Sequence, residues 1–214
     1  MTYLVIVNSV LRRLREEEVS TLAENDYSKL IADLVNVSKQ EIEHAWDWRV
    51  LRNTLTARTV DGIFNYILED STTRFRVLDV YNATTKNFMY IRPNEWMDER
   101  FAFVESPAKG SPAYYAFNGV TSDEDSQVDV YPVPDGEYIL RFNIVQPQKD
   151  LVLATDTPLV PAQLVIEATL AKAISERGED GGSPDQEIRY RNLLSDYIAI
   201  EAGQKPYETI WKAV

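Results

Sequence analysis

Apolar residues near the start of the chain recur every three or four positions, which is the spacing of one helix face. Residues 4–17 carry such a stripe, which ends in a charged run and consists of Val7, Val10, Leu11 and Leu14. The pattern predicts an amphipathic helix over residues 4–17, followed by a turn at Val19-Ser20-Thr21-Leu22.

A second helical stripe begins near Asn25 or Asp26 and runs to about Trp46. Its polar residues Lys39 and Glu43 lie mostly off the apolar face, whose members are Tyr27, Leu30, Ile31, Leu34, Ile42 and Ala45. The first sixty residues therefore predict a helical hairpin that leads into an extended segment.

From Thr54 the period changes to that of β-strands. Short runs rich in β-branched and aromatic residues predict five to seven strands, namely LTARTV, IFNYIL, RFRVLDVYNA, FMYIR, AYYAF, QVDVYPV and EYILRFNIV. Pro134-Asp135-Gly136 predicts a hairpin turn that pairs the last two runs, because proline fixes φ and glycine accepts a positive φ. Residues 92–103, RPNEWMDERFAF, indicate a short helix or an irregular arm.

The helical period returns near the end of the chain. Residues 159–176 carry an almost continuous apolar surface with small residues at Ala162, Ala168, Ala171 and Ala173, which allows another helix to approach closely. A final helix begins at Ser183-Pro184, with serine at the N-cap and proline at the first helical position. It runs to about Ala202.

The order of elements predicts an α+β fold with an insertion. Neither helical hairpin alone buries its apolar stripe, so we expect a four-helix cluster built from both ends of the chain. Residues 1–53 and 158–203 would form this helical core, and residues 54–157 an inserted antiparallel β-rich domain. Residues 204–214 would form a C-terminal docking tail, because apolar residues on a terminus usually contact a partner.

Composition narrows the possible functions. The 214 residues, 44% of them hydrophobic, are enough for a packed core. A net charge of −12 disfavours general attraction to phosphate backbones or anionic lipid. The lack of cysteine excludes disulfides, thiolate nucleophiles and zinc-thiolate sites, and a single histidine excludes a multi-histidine metal site.

No segment has the ~20 apolar residues of a membrane span, and the N-terminus lacks the features of a signal peptide. We therefore expect neither a cofactor nor a membrane partner.

Two groups of residues are candidates for chemistry. His44 and Asp47 lie three residues apart in helical register, but no nucleophile motif accompanies them, so a surface histidine in the last helical turn is the simpler interpretation. The acidic loop at residues 121–129 offers enough carboxylates for a hard cation, yet it lacks the glycine and final glutamate of an EF-hand. A solvated turn is the default there, and a carboxylate-based hydrolase stays a weak third hypothesis.

Aromatic residues make up 11% of the chain, and many lie in or beside the predicted strands. The simplest interpretation is a sheet core with cross-strand pairs. The functional alternative is a β-sandwich module that binds carbohydrate or a receptor, because tyrosine and tryptophan are enriched at such surfaces.

Several phrases of the sequence resemble a known family. VNSVLRRLREEEVSTL is followed by a long helix that closes in AWDWRVL and by the strand TLTART, and the second half contains YPVPDGEYILRFNIV and PLVPAQLVIEATLAKAISERG. This order is similar to that of the head-to-tail adaptors of short-tailed bacteriophages, the tail tubular protein A family. The matching positions are Val7, Asn8, Val19, Ser20, Thr21, Leu22 and Trp46 or Trp48. The run before the Val-Ser-Thr-Leu turn lacks the expected glycine or proline, which predicts a longer first helix.

The resemblance implies an assembly role without catalysis. Members form a ring, typically of twelve copies, beneath the portal protein; the ring prolongs the channel through which double-stranded DNA passes and offers a surface to the tail nozzle protein. The protein would be a virion component of the neck, assembled in the host cytoplasm. The partner-docking residues would be Tyr207, Ile210, Trp211 and Val214, and Trp46 and Trp48 would fasten the junction between helix and sheet. An acidic channel wall would then repel the DNA phosphates.

Overall fold

The computed structural model describes residues 1–71, 74–178 and 183–203. The chain divides into two compact units. The first, here the helical unit, is Met1–Leu51 together with the chain from Gln148 onwards, and the second, the β unit, is Arg52–Pro147. The second helical segment of this unit was predicted to begin at residue 158 and begins at Gln148.

The fold is α+β, as predicted. The described residues contain five α-helices, which are α1 (Tyr3–Arg13), α2 (Asp26–Ala45), α3 (Asn94–Phe101), α4 (Ala162–Glu176) and α5 (Ser183–Gly203). They also contain eight strands, which are β1 (Arg52–Arg58), β2 (Asn65–Leu68), β3 (Arg76–Asn82), β4 (Asn87–Phe88), β5 (Tyr90–Ile91), β6 (Tyr114–Val120), β7 (Ser126–Tyr131) and β8 (Ile139–Val145). A single 3-10 turn, Arg49–Leu51, precedes β1.

In the helical unit, α1, α2 and α4 each contact the other two, and α5 contacts α4. The core is aliphatic and includes Ile6, Val10, Ile31, Val35, Leu164 and Val165, all fully buried. Ala168, Ala171 and Ala173 are buried on α4, and small side chains allow close helix approach. A closed four-helix cluster, with α5 as its fourth member, stays a prediction.

The first helix is shorter than the sequence predicts. It ends at Arg13, and Arg15 takes a left-handed conformation with φ 61°. The Glu16 N–H donates to the Leu11 carbonyl at 3.0 Å and the Arg15 N–H to the Arg12 carbonyl at 3.1 Å, which is a Schellman motif. This motif satisfies the last carbonyls of α1, so the acidic run that follows lies outside the helix.

Two short polar contacts fix the connection between α1 and α2. The Asn8 side-chain amide donates to the Val19 carbonyl and accepts from the Val19 N–H, both at 2.9 Å. Asn25 then caps α2 by accepting from the Ser28 N–H at 2.7 Å, while the Ser28 hydroxyl accepts from the Asn25 N–H. The Asn8 side chain therefore joins the Val-Asn phrase of the sequence to the Val-Ser-Thr-Leu phrase.

The β unit is a sandwich of two four-stranded sheets. Sheet A has the order β1-β8-β3-β4 and sheet B the order β2-β7-β6-β5. Strand pairs are antiparallel except β5 with β6. The inward faces of both sheets form one core that includes Leu55, Val80, Tyr115, Val128, Val130, Leu140, Phe142 and Ile144.

The predicted hairpin at Pro134-Asp135-Gly136 is wrong. β7 belongs to sheet B and β8 to sheet A, so this segment carries the chain from one sheet to the other. Both edges of β8 are occupied by β1 and β3, which leaves no edge for β7. Thr59 holds the crossover, since its hydroxyl donates to the Gly136 carbonyl at 2.9 Å and accepts from the Tyr138 N–H at 2.8 Å.

Candidate functional site

The tryptophans at the end of α2 differ in burial. Trp48 is 1% exposed, and its indole N–H donates to the Ile42 carbonyl at 2.6 Å, whereas Trp46 is half-buried. His44 is exposed in the last turn of α2, which ends at Ala45. Asp47 therefore lies beyond the helix, and the helical register that would have set it beside His44 is lost.

A buried ion pair lies on α2, where the sequence analysis placed Lys39 and Glu43 mostly off the apolar face. Both side chains have no exposed surface, and their charged groups are 3.2 Å apart. The Lys39 ammonium also donates to the carbonyls of Gln148 and Lys149, at 2.6 and 3.2 Å. Burial raises the pKa of the Glu43 carboxyl, against the opposing effects of Lys39 and of the Gln148 backbone hydrogen bond.

Neighbouring polar residues of α2 extend this attachment. The Asn36 amide donates to the Leu151 carbonyl at 3.1 Å and accepts from its N–H at 2.9 Å, and Gln40 donates to Asp150 at 2.7 Å. Three side chains on one face of α2, those of Asn36, Lys39 and Gln40, thus hold the segment from Gln148 to Leu151. Because of these bonds, the chain rejoins the helical unit at Gln148.

The acidic loop of the β unit connects β6 to β7. Its carboxylates do not converge, since Asp125 accepts from the Ser71 N–H at 3.0 Å whereas Asp123 and Glu124 are exposed. The Thr121 hydroxyl accepts from the backbone N–H groups of Asp123 and Asp125 and closes the turn. In the residues that the structure describes, no group of three or more histidine, aspartate or glutamate side chains is placed to hold a metal ion.

Asp129 is the buried carboxylate of sheet B. It is 6% exposed and accepts from the Asn65 amide at 2.6 Å. Burial raises the pKa of Asp129, while hydrogen bonds from Asn65 and Asn118 lower it. The sequence analysis grouped Asp129 with the acidic loop, but it lies within β7 and stabilises the pairing of β7 with β2.

An arginine-aromatic cluster attaches α3 to the outer face of sheet B. Trp96 contacts Tyr114 and Tyr131 with ring centroids 5.0 and 5.4 Å apart. The Arg100 guanidinium lies 3.5 Å from the Trp96 ring centroid, and Arg92 lies 4.9 Å from that of Tyr114. A carbohydrate-binding face, the functional alternative for the aromatic strands, would need accessible ring faces, and Arg100 occupies that of Trp96.

The opposite face of the sandwich, the outer face of sheet A, is polar. The register places Thr56, Arg141, Tyr81 and Phe88 side by side across the four strands. The next row contains Thr54, Asn143 and Asp79, joined by side-chain hydrogen bonds of 2.8 and 2.7 Å. Arg52 and Lys86 border two shallow depressions at either end of this face.

The proposed docking residues Tyr207, Ile210, Trp211 and Val214 lie outside the described residues, as does the rest of 204–214. Their assignment stays a prediction. Among the residues described, no helix is long and apolar enough to cross a membrane.

The sequence of the chain matches a known protein family. A family model described as SU10 adaptor protein matches residues 1–209. The match therefore includes all the described helices and both sheets. A search of curated proteins found no match.

Proposed function

The chain belongs to the SU10 adaptor protein family, a family of phage adaptors, and from this we propose that it is a head-to-tail adaptor of the virion. In this role it forms a ring beneath the portal protein, extends the DNA channel and offers a docking surface to the tail nozzle protein. It performs no reaction, and double-stranded DNA only passes through the ring. We further propose kinship with the tail tubular protein A-like adaptors of short-tailed phages and a ring of twelve copies.

The observation that carries this proposal is the extent of the family match. It spans residues 1–209 and so covers both units, whereas a shared module would match one unit alone. The helical unit, with α5 proposed as the fourth member of its cluster, presents long helices that can pack against a neighbouring copy. Exposed apolar residues on α5, Ile188 and Ile200, are 55% and 58% exposed and suit such a contact.

We propose that the C-terminal tail attaches the ring to the portal. Its apolar residues Tyr207, Ile210, Trp211 and Val214 supply aromatic and aliphatic anchors of the kind that dominate interface energetics. The tail follows α5 and would act as a docking segment rather than as part of the helical core.

The test is mass photometry of the protein alone and with the portal protein of the same phage. We expect a ring of about a dozen copies on the portal, either preformed or assembled there. A persistent monomer that binds glycans and ignores the portal would overturn the adaptor function in favour of a carbohydrate-binding module.

Deletion of residues 205–214 tests the tail. Portal attachment should be lost while the circular dichroism and the melting temperature of the described units stay unchanged. Trp211→Ala should weaken attachment and Lys212→Ala, its matched control in the same segment, should not. Normal attachment of the truncated protein to the portal would contradict the assignment of the tail as the anchor.

A further inference from the structure

The two broad faces of the β-sandwich carry opposite charge. The outer face of sheet A presents Arg52, Arg141 and Lys86, all exposed, and these cations outnumber the central carboxylate, Asp79, which accepts a 2.7 Å hydrogen bond from Asn143. Arg58 also lies on this face, but Glu137 balances its charge at 3.0 Å. In a chain of net charge −12, this is a concentration of positive charge.

The opposite face is covered by α3 and is acidic. Met97 is buried and Trp96 half-buried against sheet B, whereas Glu95, Asp98 and Glu99 are exposed. Arg100 lies 3.5 Å from the Trp96 ring centroid and also pairs with Glu99 at 3.5 Å, so the acidic character of this face rests mainly on Glu95 and Asp98. Glu105 follows α3 and is also exposed.

We propose that the basic outer face of sheet A docks onto the acidic α3 face of the next copy, so that the β units stack head to tail around the ring. The proposal rests on the ring-forming function and names the surfaces that join its copies. A contact between two different faces of identical chains is heterologous, and heterologous contacts close into rings when the rotation between copies allows it.

Charge selects this arrangement over the alternatives. A two-fold dimer through either face would set basic against basic or acidic against acidic, which repels. In a cyclic ring every copy occupies the same level, so the neighbour of a β unit is another β unit. Nucleic acid fits the basic face less well, because Asp79 lies at its centre and the rest of the surface is acidic.

Charge reversal tests the pairing. Arg52→Glu/Arg141→Glu makes the basic face acidic, and Asp98→Lys/Glu99→Lys makes the acidic face basic. Each double variant alone should lose ring formation on the portal by at least about tenfold. The combined fourfold variant should recover it, and so should an equal mixture of the two double variants, since every contact in an alternating ring is then complementary.

A matched control keeps the change in net charge but leaves both faces intact. Lys29→Glu/Lys109→Glu replaces two exposed lysines outside the two faces, and its ring formation should equal that of the wild type. Circular dichroism of every variant shows whether the chain is folded.

Introduced cysteines give a readout that does not depend on charge, because the chain has none of its own. Thr56→Cys/Glu95→Cys places one thiol on each face. Treatment of the assembled protein with a flexible bis-maleimide should give a ladder of covalent oligomers. Each single-cysteine variant should give dimers at most.

The outcomes separate the interface from the function. Rings that persist in the charge-reversed variants, or that yield no ladder from the paired cysteines, overturn the interface and leave the adaptor function standing. A wild-type protein that forms no ring with the portal overturns both. Binding of a short DNA duplex that is lost in Arg52→Glu/Arg141→Glu, with rings intact, assigns the basic face to nucleic acid instead.

Discussion

At the scale of single residues, the Lys39 ammonium donates to three acceptors in a fully buried site. Lys39→Met would leave the Glu43 carboxylate and the carbonyls of Gln148 and Lys149 without their donor. We expect a loss of about 3–5 kcal/mol in the free energy of unfolding. Urea denaturation monitored by far-UV circular dichroism measures it.

Two variants control this result. Lys39→Met/Glu43→Leu removes both charges and should recover part of the loss, because no unpaired charge then stays buried. Arg191→Met breaks an exposed pair with Glu187 at the same helical spacing and should change stability very little. A Lys39→Met variant as stable as Arg191→Met would show that the buried pair contributes nothing.

Asp129 makes the stability of the β unit depend on pH. Its pKa is raised in the folded state, so the folded chain holds a proton more tightly than the unfolded chain does. The resulting stabilisation is present below the unfolded pKa and is lost as the pH rises through the folded pKa. Asp129→Asn should therefore be more stable than the wild type near pH 7 and should flatten this loss.

Melting temperatures measured from about pH 4 to about pH 7 check the Asp129 prediction. Asp123→Asn, at an exposed carboxylate in the β6–β7 loop, is the control and should keep the wild-type pH dependence. A wild-type slope in Asp129→Asn would mean that another group is responsible.

At this scale the sequence pattern placed Lys39 and Glu43 mostly off the apolar face of α2 and did not predict their burial. A pair of opposite charges at this four-residue spacing on a polar helix edge is usually solvated. Its burial depends on the segment from Gln148 to Leu151, which is more than a hundred residues away in sequence. Only the fold brings that segment onto α2.

At the scale of elements, local pattern predicted nearly every helix and strand but not every partner. Alternation fixes which side chains share a face, so the predicted strands correspond to observed ones, except that FMYIR, predicted as one strand, is divided between β4 of sheet A and β5 of sheet B. Turn residues specify that the chain bends, and Pro134-Asp135-Gly136 does bend it. They do not specify whether the next strand joins the same sheet, because that choice depends on β1 and β3.

The end of α1 offers a stability test of this scale. Arg15 occupies the left-handed position of the Schellman motif, where glycine carries no steric cost. Arg15→Gly should stabilise the protein by about 1 kcal/mol. Arg12→Gly, within the helix, should destabilise it by a similar amount. Thermal denaturation measures both, and a destabilised Arg15→Gly would contradict the assigned helix end.

At the scale of the whole molecule, each unit buries its own apolar core. The helical unit packs aliphatic residues between helices, and the β unit packs the inner faces of two sheets. We expect calorimetry to resolve two unfolding transitions. Lys39→Met should lower one of them and Asp129→Asn should raise the other near pH 7. A single transition shifted by both variants would show that the units unfold together.

The strands that open and close the β unit are neighbours. β1 and β8 pair along their full length, with Arg52 opposite Val145, so the chain enters and leaves the β unit at adjacent points. A short loop could join the same two points of the helical unit at small entropic cost. The β unit, an insertion whose two ends lie side by side, therefore places little constraint on the helical unit into which it is inserted.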